Sequence, residues 1–164
     1  MSLPLEDLEL IRRLKYAYCR CIDTANFAEL KDLFTEDVSV RYVGGSYVFE
    51  AAGRDVVLEA LANAFHSEAI AVHHVNHPEI DFVSPTEATG QWYLKDWFLD
   101  LRNKIITDGT SFYRDTYVKL DGRWKIKHAS YERVYEIVTP FTDVPNITAH
   151  YLARHGRKLP PLAA

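Results

Sequence analysis

Cysteine and methionine are scarce in this chain: only Cys19 and Cys21 occur, with a single methionine. Two positions apart on a predicted helix, the thiols are separated by about 200° and point to nearly opposite sides, so they cannot pair with each other. Two small buried or half-buried side chains are a simpler reading than redox or nucleophilic thiols. Long apolar runs are missing as well. Nowhere do about 18 consecutive apolar residues occur, so no membrane-spanning helix is expected. No segment gathers lysine and arginine into the cluster that phosphate backbones or anionic lipids require, and the net charge is −4 with a pI of about 6.0. Neither nucleic acid nor a membrane surface is an expected partner. The first residues, Met1-Ser2-Leu3-Pro4-Leu5-Glu6-Asp7, carry neither the basic region nor the apolar stretch of a secretory leader, so a cytoplasmic location is the expectation. There is no Gly-rich phosphate loop, no G-x-S-x-G nucleophile elbow and no C-x-x-C, and nothing calls for a cofactor.

Aromatic residues are abundant: ten Tyr, eight Phe and three Trp make up 13% of 164 residues, enough to fill a core or line a hydrophobic pocket. A chain of this length fits one domain, residues 1–164, with its core over about 5–137 and a proline-bearing tail over 138–164 that caps the pocket or trails. From Leu5 to Ile22, apolar residues at Leu8, Ile11, Leu14, Tyr18 and Ile22 recur at helical spacing, while Glu6, Asp7, Glu9, Arg12, Arg13 and Lys15 supply a wet side. A shorter helix follows over 27–34. Val38, Val40 and Tyr42 then alternate with polar partners, Gly44-Gly45 offers the positive-φ residues of a tight hairpin, and Tyr47 and Phe49 resume the alternation. Gly53-Arg54-Asp55 starts a third helix. After Ser67 the period becomes two, over 69–83, 87–101 and 104–137, with Asp121-Gly122 splitting the last segment by a two-residue turn. Trp92, Leu94 and Phe98 share one strand face, and Tyr93, Trp97 and Leu99 the other. A sheet apolar on both sides is expected to pack on helices with one face and on a second subunit with the other, giving a homodimer or homotrimer. The order of elements predicts an α+β fold.

Four motifs add a resemblance. Tyr18-Cys19-Arg20-Cys21-Ile22-Asp23, followed by Leu30, Leu33 and Phe34, then Val72-His73-His74-Val75-Asn76, Tyr113-Arg114-Asp115-x-Tyr117, and Asp121-Gly122-Arg123-Trp124-Lys125-Ile126 fall in order over roughly residues 8 to 137. In this the chain resembles the SnoaL-like branch of the nuclear transport factor 2-like superfamily. The resemblance implies a cone-shaped barrel, a curved mixed or antiparallel sheet packed on three N-terminal helices around an apolar pocket. The functional likeness is to the acid–base lyases of that superfamily, the bile-acid 7α-dehydratases, scytalone dehydratases and lindane dehydrochlorinases. By that likeness Asp23 orients His73, which takes a proton from a bound apolar ring, and Tyr18 completes the set. The later arginine has no direct counterpart, because Ala129 stands five residues after Trp124; Arg133, at the same strand parity as Ala129, substitutes for it. Trp92, Trp97, His128 and Tyr131 are the expected pocket residues.

The pairing also makes chemical sense alone. Imidazole titrates near neutrality, and a carboxylate on its other nitrogen fixes the tautomer and favours the imidazolium formed on proton capture. The residues alone leave other readings open: Asp23 ends the first helix or caps the next, His73 is a satisfied histidine on a half-buried strand, and Tyr18 is a core aromatic. Helical geometry favours Tyr16, seven residues before Asp23, as its same-face companion. His73, His74 and His77 do not form a metal site on a strand, where the first two face opposite sides and the outer two lie about 13 Å apart. The function implied is a cofactor-independent dehydratase, or an isomerase in the same pocket, acting on a small apolar cyclic substrate such as a steroid or polyketide. The alternative is a non-catalytic small subunit of a ring-hydroxylating dioxygenase or a ligand-binding module. Tyr18, Asp23 and His73 occurring together favour the enzyme.

Overall fold

The computed structural model describes residues 4–162. Helix α1 (Leu5–Asp23) carries Glu6 and Asp7 in its first turn and Arg20 in its last, charges that suit the helix dipole at both ends. Asp7 accepts from Lys119 Nζ at 2.7 Å and from Trp124 Nε1 at 2.8 Å, which ties the start of the helix to the far end of the sheet. Its buried stripe runs Ile11, Leu14, Tyr18 and Ile22, as the spacing predicts, but it also includes Lys15. Lys15 does not belong to the wet side: its ammonium lies 2.7 Å from the Asp115 carboxylate, and both side chains are wholly buried. A fixed countercharge from the sheet explains the departure, since a lone ammonium there would not tolerate desolvation. Helix α2 (Phe27–Leu33) is capped by Asn26, whose side chain accepts from the Glu29 N–H at 3.3 Å.

Strands β1 (Phe34–Val43) and β2 (Val48–Ala52) form the expected hairpin, but not through a positive-φ pair. The loop is longer, 44–47, closed by the Gly44 N–H donating to the Tyr47 carbonyl at 2.8 Å. The Tyr47 ring folds into the space a Cβ at Gly44 would fill. Helix α3 (Arg54–Ala64) starts on Gly53 at φ 88°. The long strands β3 (Ala69–Ser84), β4 (Glu87–Asp100), β5 (Ile105–Leu120) and β6 (Arg123–Pro140) follow, the last two joined through Asp121 and Gly122, both at positive φ as a two-residue turn requires. The sheet order is β2-β1-β6-β5-β4-β3, with β1 parallel to β6 and every other pair antiparallel. The fold is therefore α+β, with the N-terminal helices packed on a six-stranded, mixed, curved sheet.

Two irregularities in β6 decide which side chains face the helices. The pairing skips Lys127 between Ile126 and His128 and skips Val134 between Arg133 and Tyr135. Each extra residue bends the strand and reverses its alternation. Trp124 and Ile126 face inward, then Ala129, Tyr131 and Arg133, then Glu136 and Val138. Of the tail, Val138 still belongs to β6 and lines the cavity, while the described residues after β6 line other surfaces. Helix α4 (Tyr151–His155) buries Leu152, His150 Nε2 lies 2.9 Å from the Ala69 carbonyl, and Arg157 holds Glu59 of α3, so the segment docks against α3 and Ala69, at the start of β3. Among the described residues no helix is long and apolar enough to cross a membrane.

Candidate active site

A cavity of about 400 Å³ lies between α1, α3, the β1–β2 hairpin and the inner face of the sheet. Its walls are mainly apolar and aromatic, with Ile22, Phe49, Leu61, Phe65, Phe98 and five tyrosines, Tyr18, Tyr42, Tyr47, Tyr113 and Tyr131. His73, Asp96, Arg133 and Glu136 supply the ionisable groups.

Asp23 and His73 meet although fifty positions separate them. Asp23 ends α1, where the helix dipole disfavours a carboxylate, and two donors from one residue hold it there. The His73 backbone N–H donates to Oδ2 at 2.9 Å, and Nδ1 lies 2.6 Å from Oδ1. With a carboxylate as acceptor, Nδ1 carries the proton, which leaves the Nε2 lone pair as the basic position. The imidazole packs edge-on against Phe65, with ring centres 5.5 Å apart. His73 lines both the cavity and a shallow outer groove, whereas Asp23 lines only the groove, together with Tyr16. The helical argument that put Tyr16 on the face of Asp23 thus describes the groove side, while Tyr18 faces the cavity. The imidazole forms the wall between them.

The Tyr18 hydroxyl lies 2.8 Å from that of Tyr42, and its ring meets Tyr113 edge-on. The hydroxyls of Tyr47 and Tyr131 are also paired. Burial pushes the phenols of Tyr18, Tyr42, Tyr113 and Tyr131 upward, so all four remain protonated donors at neutral pH. They suit polarising a carbonyl or a leaving hydroxyl better than taking a proton.

Arg133 reaches the cavity. It does so across β5, in one row of paired residues: His73 opposite Asp96, Asp96 opposite Gly109, and Gly109 opposite Glu136. The Arg133 guanidinium lies over Gly109, where a Cβ would come within 2.5 Å of Nη1, so only glycine lets it cross the strand. It grips Asp96 with both terminal nitrogens (Nη2 to Oδ2, 2.9 Å), donates from Nε to Glu136 Oε2 at 3.0 Å and reaches Ser111 Oγ at 3.2 Å. Burial alone would lower its pKa, but the Asp96 carboxylate more than reverses this and the group is held firmly charged. Glu136 in turn accepts from the Gly45 N–H at 3.2 Å and from Ser46 Oγ at 3.4 Å, fastening the hairpin loop beside the cavity.

Three expected pocket residues lie elsewhere. Trp92 faces inward, but four residues along β4 from Asp96, about 13 Å away; it is fully buried and donates to the Tyr117 hydroxyl at 2.9 Å. Trp97 sits between the lining residues Asp96 and Phe98 and so points to the opposite face. His128 follows the skipped Lys127, which turns it outward onto Ser39 Oγ at 2.8 Å. Tyr131 lines the cavity. The sequence reading missed Tyr42, Tyr47, Phe49, Phe65, Asp96 and Glu136. Asp96 carried a usable signal, as a lone acid on the face of Trp92, Leu94 and Phe98. Cys19 and Cys21 are buried and unpaired, and burial pushes their thiols up to about 12 and about 11, away from nucleophilic use.

Solved structures share this arrangement of helices and sheet. A candidate scytalone dehydratase from Novosphingobium aromaticivorans superposes with a TM-score of 0.72 at 26% identity, over 98% of this chain and 95% of its own. The type 3 LinA hexachlorocyclohexane dehydrochlorinase from Novosphingobium barchaimii gives 0.72 at 16% identity, over 88% and 97%. A candidate aromatic ring hydroxylase from Novosphingobium aromaticivorans gives 0.74 at 18%, over 85% and 96%. At such identities the last two speak for the fold alone. The sequence profile of the SnoaL-like domain matches residues 4–130, from α1 into β6, and with the fold in agreement the chain belongs to the SnoaL-like family of nuclear transport factor 2-like proteins.

Proposed function

We propose that the protein is a cofactor-independent carbon–oxygen lyase that eliminates water, or another small leaving group, from a hydrophobic cyclic substrate such as a steroid or polyketide. The observation that carries this reading is the 2.6 Å contact of His73 Nδ1 with Asp23 on an imidazole that faces an aromatic cavity. In this reading His73 Nε2 takes the proton from a carbon beside an activating group, and the imidazolium is stabilised by Asp23. The C–H electron pair becomes the new double bond and the hydroxyl leaves. The imidazolium proton returns to it, so water is the product. Tyr18, paired with Tyr42, donates to the activating carbonyl or to the leaving oxygen. An isomerisation would share the first step and return the proton to another carbon.

The purified chain, supplied with hydroxylated steroid enones, cyclic polyketide alcohols and halogenated rings, is expected to convert at least one class to a product with a new conjugated double bond, read by absorbance and mass. Deuterium at the abstracted position should slow the step. No turnover of any of the three classes would count against the lyase and for a binding module.

The proposal extends to assembly. On the outer face, Val72 and Tyr93 are 37% and 38% exposed, Trp97 and Phe112 are half-buried, and the Tyr93 and Phe112 rings meet at 4.7 Å. Such a patch is expected to be covered by a second copy in a homodimer or homotrimer. Light scattering at micromolar concentration that finds only an 18.9 kDa particle would overturn this.

A further inference from the structure

We propose that the cavity takes uncharged cyclic alcohols and ketones and turns away carboxylates and phosphates of the same shape, and that Asp96 and Glu136 are the residues that set this choice. The inference rests on reading the cavity as the substrate site, but not on any reaction occurring there.

A buried arginine in a ligand cavity ordinarily invites an anion, because its planar fork matches a carboxylate or phosphate. Here that fork is already filled. A guanidinium has five N–H donors, and the bonds to Asp96, Glu136 and Ser111 engage all but one N–H of Nη2. Both carboxylates are buried, with 8% and 6% of their side chains exposed, so water does little to screen them. One guanidinium stands against two carboxylates, and the row from His73 through Asp96 and Arg133 to Glu136 carries a net negative charge while the imidazole is neutral. An anionic ligand placed there meets like charge on two sides and finds a single free N–H in return.

A neutral ligand meets no such barrier. Its hydroxyl or carbonyl finds the Tyr18 and Tyr42 hydroxyls, Thr107, His73 Nε2 and the remaining N–H of Arg133, and its rings cover the aromatic walls. Arg133 is on this account a positioning residue. It clamps Asp96 beside His73 and, through Glu136, holds the loop that carries Tyr47.

The test uses 2-naphthol and 2-naphthoate, which share a ring system and differ in charge at neutral pH, titrated into the purified 164-residue chain and followed by naphthyl fluorescence. Wild-type protein is expected to bind the naphthol more tightly by about tenfold or more, since a like charge beside a buried one outweighs that ratio. Glu136→Gln keeps an amide oxygen for Gly45 and Ser46 but turns its NH₂ toward Arg133 Nε, which removes one negative charge and releases that N–H, so it is expected to narrow the ratio by tightening naphthoate more than naphthol. Asp96→Asn is the second variant, to be read in the same way. Naphthoate binding as tightly as naphthol to the wild type, an unchanged ratio in both variants, or no binding of either ring would each overturn the proposal. A lyase that binds carboxylates would sink this inference alone. A selective cavity without turnover would sink only the lyase.

Discussion

His73→Ala is expected to lower kcat by about 10² to 10⁴ while the protein keeps its fold. Positioned general-base catalysis contributes a factor of that size, about 3 to 5 kcal/mol of barrier at 1.36 kcal/mol per decade. The imidazole packs edge-on against Phe65 and lines both the cavity and the outer groove, so the space left by truncation adjoins openings that already exist. Asp23→Asn is expected to come close to the same loss, for a reason visible in its two contacts. The carboxylate accepts from both the His73 backbone N–H and Nδ1. An amide has one acceptor and one donor group, so if its oxygen keeps the backbone N–H, its NH₂ faces Nδ1 and drives the imidazole proton to Nε2. The lone pair that faced the cavity is then lost. The double variant should be little worse than His73→Ala alone, because groups acting as one unit are strongly non-additive. The pH profile of kcat/KM should lose the limb that belongs to the base in both His73 variants. Near wild-type kcat in His73→Ala, on any substrate that is turned over, would reduce the histidine to a wall residue.

The parts of this site that were legible in the sequence are those whose signal is local. Helical spacing marked α1, alternation marked β3 to β6, and Asp121-Gly122 marked the turn before β6, because each depends on residues within a few positions of one another. The Asp23 and His73 contact was reachable only through the motif resemblance, since nothing in either segment refers to the other. Glu136 was hidden by the skipped residue at Val134, which puts it on the face of Arg133 against simple alternation. Gly109 gave no warning either; a glycine in a strand becomes meaningful only when the guanidinium from the neighbouring strand is seen lying over it. Residue type places Lys15 on the wet side, and residue type fails where a distant countercharge changes the energetics of burial. Aromatic character points Trp92 and Trp97 to the pocket, but it does not say how far along a strand, or on which face, a ring sits.

Removing the Lys15 ammonium is expected to be among the most damaging single changes outside the cavity. Lys15 lies 2.7 Å from Asp115 Oδ2 with both side chains at 0% exposure, and Asp115 also accepts from the Tyr117 hydroxyl at 2.7 Å, which itself accepts from Trp92 Nε1. The ammonium sits 3.3 Å from the centre of the Tyr113 ring and 4.7 Å from that of Tyr18, so it braces two cavity tyrosines from behind. Lys15→Met keeps most of the volume but leaves the carboxylate buried without its countercharge, a situation that costs about 3 to 5 kcal/mol. At about 2 to 4 °C per kcal/mol for a chain of this size, Tm should fall by about 10 °C. Asp115→Asn should cost a similar amount by stranding the ammonium. The double variant Lys15→Met/Asp115→Asn is the informative one, because it removes both charges and keeps an oxygen for the Tyr117 hydroxyl. It should recover most of the lost stability, as neutral replacements of buried ion pairs do. Thermal melts by circular dichroism on the four proteins close the cycle, and additive losses in the double variant would show that the two charges do not depend on each other. With stability restored but the cation gone, Tyr113 and Tyr18 lose their shared brace, so the double variant should still bind 2-naphthol more weakly than the wild type.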